Sequence, residues 1–299
     1  MNFSNKLVVS GLEVWQWRNA AEKLALAAAI PSFELDWLLQ EVAGLDRLSI
    51  RLESFKNCAE INLKLSLQEL TDLWQQRIEN HLPLQYIIGV TSWRHFDLKV
   101  SPAVLIPRPE TELLIDLVWQ AVNAETCQGS WADLGTGSGA IAIGLAEVLT
   151  NATIYAVDIS SAALDIAQEN ARRSNFIDRI KFYQGNWFQP LEFLQGQLQG
   201  MVSNPPYIPS NIIPSLQPEV AQHEPHLALD GGLDGLNYIR HLVNTAPIYL
   251  KSGGIWLIEM MAGQADAVTE LLYQQGSYSQ IQIFPDLAGI QRFAMAYRI

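Results

Sequence analysis

The chain predicts an α/β fold: a mainly parallel sheet covered on both faces by helices, preceded by a small helical domain and a β-hairpin linker. Three observations carry this. Between residues 109 and 275, apolar runs of strand length alternate with segments of helical spacing, and that βαβα rhythm builds parallel sheets with both faces buried. The run Trp131-Ala132-Asp133-Leu134 feeds directly into Gly135-Thr136-Gly137-Ser138-Gly139 and then into a helical stretch. The apolar run 198–202 stops at Ser203-Asn204-Pro205-Pro206-Tyr207, because Pro205 lacks an N–H and holds Asn204 extended.

The 299 residues suffice for two domains, and 49% hydrophobic content predicts a sizeable core. Nineteen Lys and Arg against 31 Asp and Glu leave a net charge of −12. Proteins that track nucleic-acid backbones carry a basic face, since phosphate neutralisation supplies most of their non-specific affinity. The acidic balance weighs against direct nucleic-acid binding. Cys58 and Cys127 have neither metal-ligand spacing nor the look of a disulfide framework, which suits a reduced cytoplasm. Residues 24–30 look like a signal-peptide core, but they follow Glu13 and Glu22 and are too short to span a bilayer. A helix end in a bundle is expected there, with no membrane association.

Residues 1–82 form the expected helical domain. Residues 12–30 are rich in good helix formers. Ser32 is placed to cap the next helix, which ends before Gly44. Ser66-Leu67-Gln68-Glu69 fits a capping box opening a helix to about Asn80, with Leu67, Leu70, Leu73, Trp74 and Ile78 on its core face. Residues 83–107 read as the hairpin linker, with strands at 86–89 and 96–100. His95 is expected to be a surface or packing residue. From 108 the third region begins. Pro109 suits a first helical position and Glu110 and Glu112 suit the positive end of the dipole, for a helix to about Asn123; Arg108 and Glu110 are also candidates to face a site.

The chemistry sits at strand ends, where open α/β sheets bind ligands. Glycines at 135, 137 and 139 let the turn tighten and let a ligand touch backbone. The strand at 153–157 ends at Asp158, whose carboxylate can accept both ribose hydroxyls of an adenosine. The strand at 180–184 leads to Gly185-Asn186-Trp187; Asn186 can meet an adenine edge and Trp187 can stack on a ring. This unit signals an adenosine-containing cofactor without choosing which, since Gly135-x-Gly137-x-x-Ala140 with Asp158 also fits a loose dinucleotide fingerprint. Asn204-Pro205-Pro206-Tyr207 narrows the choice. The Asn204 side-chain oxygen and the Pro205 carbonyl are two acceptors able to grip one planar NH2, with Tyr207 covering its flat face. The proline-rich segment 208–234 is long for a compact domain and is expected to act as a lid.

These motifs resemble the HemK-type protein-(glutamine-N5) methyltransferases that act on peptide chain release factors. The resemblance runs from about Pro83 to the C-terminus. It rests on residues 83–89, Leu105-Ile106-Pro107-Arg108-Pro109-Glu110-Thr111-Glu112, residues 133–139, Asn204-Pro205-Pro206-Tyr207-Ile208-Pro209, and the later Glu219-Val220, Glu224-Pro225, Ala228-Leu229, Gly231-Gly232 and Asp234-Gly235-Leu236. It implies the seven-stranded sheet of class I (Rossmann-like) methyltransferases with one antiparallel strand, and S-adenosylmethionine as donor. It places the cofactor on Gly135, Thr136, Gly137, Ser138, Gly139, Asp158 and Trp187, with Asn204 beside the methyl group. It places the substrate glutamine on Asn204, Pro205, Pro206 and Tyr207. Met261 and Gln291 stand where the family usually has a glycine and an acid. A monomer is expected, with the helical domain orienting a protein substrate.

The mechanism expected from this is direct methyl transfer to a glutamine amide nitrogen held by acceptors, positioning alone supplying ~7–11 kcal/mol of the barrier. An adenine-N6 nucleic-acid methyltransferase is the nearest alternative, because the tetrad grips any planar NH2. An NAD-dependent dehydrogenase leaves the tetrad unexplained, and a non-catalytic cofactor-binding scaffold leaves it idle.

Overall fold

The computed structural model describes residues 7–123 and 126–299; the expectation for residues 1–6 lies outside that range. The chain divides into two compact units. One comprises the chain up to Gly89 together with Pro218–His223, and the other comprises Val90–Gln217 and Glu224–Ile299. The division therefore falls at 89/90, not at 82. The hairpin belongs to the second unit, and one short helix from the later half of the sequence belongs to the first.

The first unit holds β1 (Val8–Val9), α1 (Gly11–Ala27), α2 (Ser32–Ala43), α3 (Arg47–Arg51), β2 (Ile61–Asn62), α4 (Leu67–Asn80) and α5 (Leu84–Ile88). α1 and α4 both open on capping boxes, Ser10 with Glu13 and Ser66 with Glu69. Trp17 and Trp74 fill the core with Leu38, Leu39 and Leu70, and each indole N–H finds an acceptor, Thr71 Oγ1 at 3.0 Å and the Ala21 carbonyl at 3.1 Å. Leu73 and Ile78 of the expected core face are only half-buried. Two local expectations are corrected. Ser32 is the first residue inside α2, where Pro31 occupies the cap position and no side chain caps. Residues 86–89 are not a strand: Pro83 starts a single helical turn, and Gly89, at φ 78°, closes it by donating its N–H to the Gln85 carbonyl at 2.8 Å. Flanking Pro and Gly outweigh the strand preference of Ile87 and Ile88.

The second unit starts with the hairpin of β3 (Val90–Trp93) and β4 (Phe96–Lys99). A 3-10 turn, Pro109–Glu112, leads into α6 (Leu113–Ala121), so Pro109 starts the turn rather than the α-helix. Then follow β5 (Gln128–Leu134), α7 (Ala140–Val148), β6 (Asn151–Asp158), α8 (Ser161–Arg173), β7 (Ile180–Gln184) and β8 (Leu198–Ser203). After α9, the Pro218–His223 helix of the first unit, come α10 (Asn237–Tyr249), β9 (Leu250–Glu259), α11 (Ala265–Gln275), β10 (Tyr278–Pro285) and β11 (Gln291–Arg298). The sheet order is β10-β11-β9-β8-β5-β6-β7, with β11 alone antiparallel to its neighbours.

Both faces of the sheet are buried, and the strand period of two divides the side chains. Ile255 and Leu257 pack with Trp131, Leu114 and Ile141 on one face; Trp256 and Ile258 pack with Leu242, Val268 and Leu272 on the other. The segment 208–234 is not irregular throughout. It contains short helical turns, and Ile208 bonds back on both sides, its N–H to the Leu229 carbonyl at 3.0 Å and its carbonyl from the Gly231 N–H at 2.8 Å.

Candidate active site

β5 and β8 are neighbours although β6 and β7 intervene in sequence, so the sheet reverses its winding between them. A crevice opens at the carboxyl ends of the strands at such a point. Here it is a cavity of about 390 Å³ within the second unit. Gly135, Thr136, Gly137 and Ser138 line it from β5, Asp158 from β6, Asn186 and Trp187 from β7, and Asn204 and Pro206 from β8. Leu105, Arg108, Thr111, Pro225, Leu227 and Tyr238 complete the wall. Gly139, Pro205 and Tyr207 are not part of that lining. Gly139 is the cap of α7 at φ 83°, Pro205 is buried, and Tyr207 donates its phenol to Glu259 Oε1 at 2.9 Å.

Polar side chains behind the cavity fix the backbone in front of it. Asp133 Oδ2 accepts the Thr136 hydroxyl at 2.5 Å and the Ala142 N–H at 3.0 Å, stapling the glycine loop to α7. Asn170 donates to the Ser138 carbonyl at 2.9 Å and to the Lys99 carbonyl at 3.0 Å, tying the same loop to the hairpin. The Ser203 hydroxyl donates to the Leu134 carbonyl at 2.6 Å, holding the end of β8 against β5. At Gly135 the backbone rather than crowding calls for glycine: an added Cβ would sit in ordinary contact with the Trp187 ring at 3.6 Å, but at a φ of +77° that L side chains rarely adopt.

Burial raises each of three carboxylates at and behind the cavity. Asp158 and Glu224 are held up by burial; N–H groups of Ser160 and Gly137 pull the first back, and Arg108, 2.6 Å from Glu224, pulls back the second. Glu259 is raised by burial too, against donors Thr111 and Tyr207 and the charge of Arg292. Burial and the Glu259 charge push the Tyr207 phenol well above its usual value, so it stays a neutral donor. Asp133, Asn170, Thr111 and Glu259 were not singled out as site residues from sequence. The signal available for Glu259 was a carboxylate closing the apolar run 255–258.

A crevice at the switch point of this sheet order, floored by a glycine loop, is the architecture of a class I methyltransferase. The family model for a methyltransferase domain matches residues 129–261. The solved hMettl16 catalytic domain, in complex with the MAT2A 3'UTR hairpin 6, shares the fold at a TM-score of 0.55, over 80% of this chain and 84% of that one, with 15% identity. Much nearer in sequence is the release factor glutamine methyltransferase of Synechocystis sp., 52% identical over 98% of both chains. Its namesake from Thermosynechococcus vestitus is 48% identical over 96% of this chain and 99% of that one. The chain belongs to the release factor glutamine methyltransferase family.

Proposed function

We propose that the protein transfers the methyl group of S-adenosylmethionine to the side-chain N5 of the glutamine in the Gly-Gly-Gln loop of peptide chain release factors. The observation that carries the reading is the position of Asn204: it directly follows β8 at the cavity wall with its Nδ2 turned to Thr111 Oγ1 at 3.3 Å, which leaves its oxygen as an acceptor.

The residues present fit the cofactor. A cavity of about 390 Å³ joins a carboxylate at the end of β6, an indole, and a glycine loop whose Gly135 and Gly137 have φ of +77° and +53°. Gly135, Thr136, Gly137, Ser138, Asp158, Asn186 and Trp187 are the residues to hold it, Asp158 through paired hydroxyls and Trp187 against a flat ring, with Gly139 capping the helix behind the loop. When bound, it supplies an electrophilic methyl group. The rest falls to the chain. Asn204 Oδ1 and the Pro205 carbonyl accept the two N–H bonds of the substrate amide, fixing its nitrogen; these bonds strengthen as positive charge builds on that nitrogen. Pro206 lines the cleft around the carboxamide, and Tyr207, outside the lining, bears on it through its bond to Glu259.

The helical unit orients the protein substrate, and the enzyme works as a monomer in the cytoplasm without nucleic acid. Among the described residues, no helix is long and apolar enough to cross a membrane. The test is transfer of labelled methyl to a release factor and to the same factor with Gln→Ala in its Gly-Gly-Gln loop. Labelling of the first alone is expected. Equal labelling of both would remove the glutamine as the acceptor.

A further inference from the structure

An asparagine amide has two ends of nearly equal size, and only one of them accepts an N–H. If Asn204 is to hold a substrate nitrogen, its oxygen must face the cavity, and something must prevent the alternative rotation.

The decision is made behind Asn204. Thr111 stands on the Pro109–Glu112 turn, and its hydroxyl donates to Glu259 Oε2 at 2.7 Å in a buried setting. A threonine hydroxyl has one proton. With that proton committed to Glu259, only lone pairs remain on the side facing Asn204. An amide NH2 is accepted there, as observed at 3.3 Å; an amide oxygen would face lone pairs. Glu259 can impose this because it is asked to accept twice, from Thr111 on one oxygen and from the Tyr207 phenol at 2.9 Å on the other. It is 1% exposed, so water does not compete. The sheet sets the juxtaposition: β8 and β9 pair in register at Ser203 and Ile258, so Asn204 and Glu259 are the next residues on the two strands.

We infer that Glu259 and Thr111 are positioning residues for methyl transfer: the carboxylate points the Thr111 hydroxyl, and the hydroxyl holds the Asn204 amide with its oxygen towards the substrate nitrogen. This rests on the reading of Asn204 as the clamp on a glutamine amide. It adds a polarity relay that nothing in the clamp itself supplies. Protonation of Glu259 would release the relay, since the acid's own proton could then be offered to Thr111. The groups that bear on that protonation are Thr111, Tyr207, Arg292 and Glu110, with burial raising the carboxyl and Arg292 opposing.

The experiment is single-turnover methylation of a release factor by wild type, Thr111→Val, Thr111→Ser, Glu259→Gln and the double variant Asn204→Ala/Thr111→Val, with cofactor Kd and Tm for each. Thr111→Val and Glu259→Gln are expected to slow transfer by up to about 100-fold, as when a change away from the chemistry misplaces a positioned group. Cofactor Kd should stay within about twofold and Thr111→Ser should recover most of the rate, because its hydroxyl is retained. In the Asn204→Ala background, Thr111→Val should cost nothing further, since its target is gone. The wild-type rate should fall on the acid side as Glu259 takes up its proton, and Glu259→Gln should lack that limb. A Thr111→Val enzyme with near-normal turnover, or costs that multiply in the double variant, would overturn the relay while leaving glutamine methylation by wild type intact. Wild type that labels no glutamine would overturn the underlying reading and the relay with it.

Discussion

The Asp158 carboxylate receives the Gly137 N–H on Oδ2 and the Ser160 N–H on Oδ1, each at 2.9 Å. One side chain thus ties the glycine loop after β5 to the start of α8 and still lines the cavity. Each oxygen retains lone-pair capacity for a ligand hydroxyl. Hydrogen bonds to a charged group are worth about 1.5–3 kcal/mol. Asp158→Ala should therefore raise the Kd for S-adenosylmethionine by about 10–100-fold by calorimetry, with Asp158→Asn in between. An unchanged Kd in Asp158→Ala would remove the residue from the cofactor site.

Asp133 makes stability depend on pH. It is fully buried, and among the described residues its Oδ1 has no hydrogen-bond partner. Burial pushes its carboxyl up to about 7 from an ordinary 3.8, against the pull of the Thr136 hydroxyl and the Ala142 N–H. The folded chain thus binds this proton more tightly than the unfolded chain. The resulting stabilisation is complete below about 3.8 and is lost as pH rises through about 7. Asp133→Asn, which cannot ionise, should gain on wild type in Tm as pH rises from about 3.8 to about 7 and level off above that. Tm curves for the two proteins that run parallel across that range would contradict the assignment.

What the sequence made legible was whatever a few contiguous residues determine. The glycine loop announces itself because its turn needs three residues at positive φ. The end of β8 is legible because Pro205 cannot continue a ladder. Asp158 follows from its place at a strand end. The relay was not legible, because Thr111 and Glu259 lie 148 residues apart and only the sheet order joins them. The same holds for Asn170, which reads as an ordinary helix-face residue in α8 until the hairpin is folded against it. The strand expected at 86–89 came from residue preference alone, and a Pro83 start with a Gly89 stop overrode it.

Asn204 is the residue on which chemistry and binding should separate. Its side chain lines the cavity at the end of β8 and touches Thr111 rather than the glycine loop. Asn204→Ala should lose transfer by about 100-fold or more, as when a preorganised polar partner is removed from a reacting centre. Cofactor affinity should change little, because the loop, Asp158 and Trp187 remain. A single-turnover assay paired with calorimetry reads both quantities. A variant that keeps turnover and loses cofactor affinity would reverse the assignment.

Arg77 holds two distant pieces of sequence together in the helical unit, and the cost of its removal should be unequal at the two ends. Its guanidinium meets Glu34 through two bonds, Nε to Oε2 at 2.7 Å and Nη2 to Oε1 at 3.0 Å, and meets Glu219 through one, Nη1 to Oε1 at 2.9 Å. Arg77 is 6% exposed, and the Glu34 side chain is 14% exposed against 28% for Glu219. Glu219 sits on α9, which buries no residue of its own; besides Arg77, a His223 contact with the Asn80 carbonyl at 2.5 Å fastens it. Arg77→Ala removes both bonds to the mostly covered Glu34 carboxylate, a loss of about 1.5–3 kcal/mol. Glu219→Gln keeps an acceptor at a wetter position and should cost about 1 kcal/mol or less. Replacing Arg77 and Glu34 together by Met should be milder than Arg77→Ala, since only Glu219, at the wetter end, then loses its partner. Denaturant unfolding of the full chain orders the three variants, and limited proteolysis within 218–223 reports whether α9 has come loose. If Arg77→Ala proved no more costly than Glu219→Gln, the bidentate pair with Glu34 would not be what secures this unit.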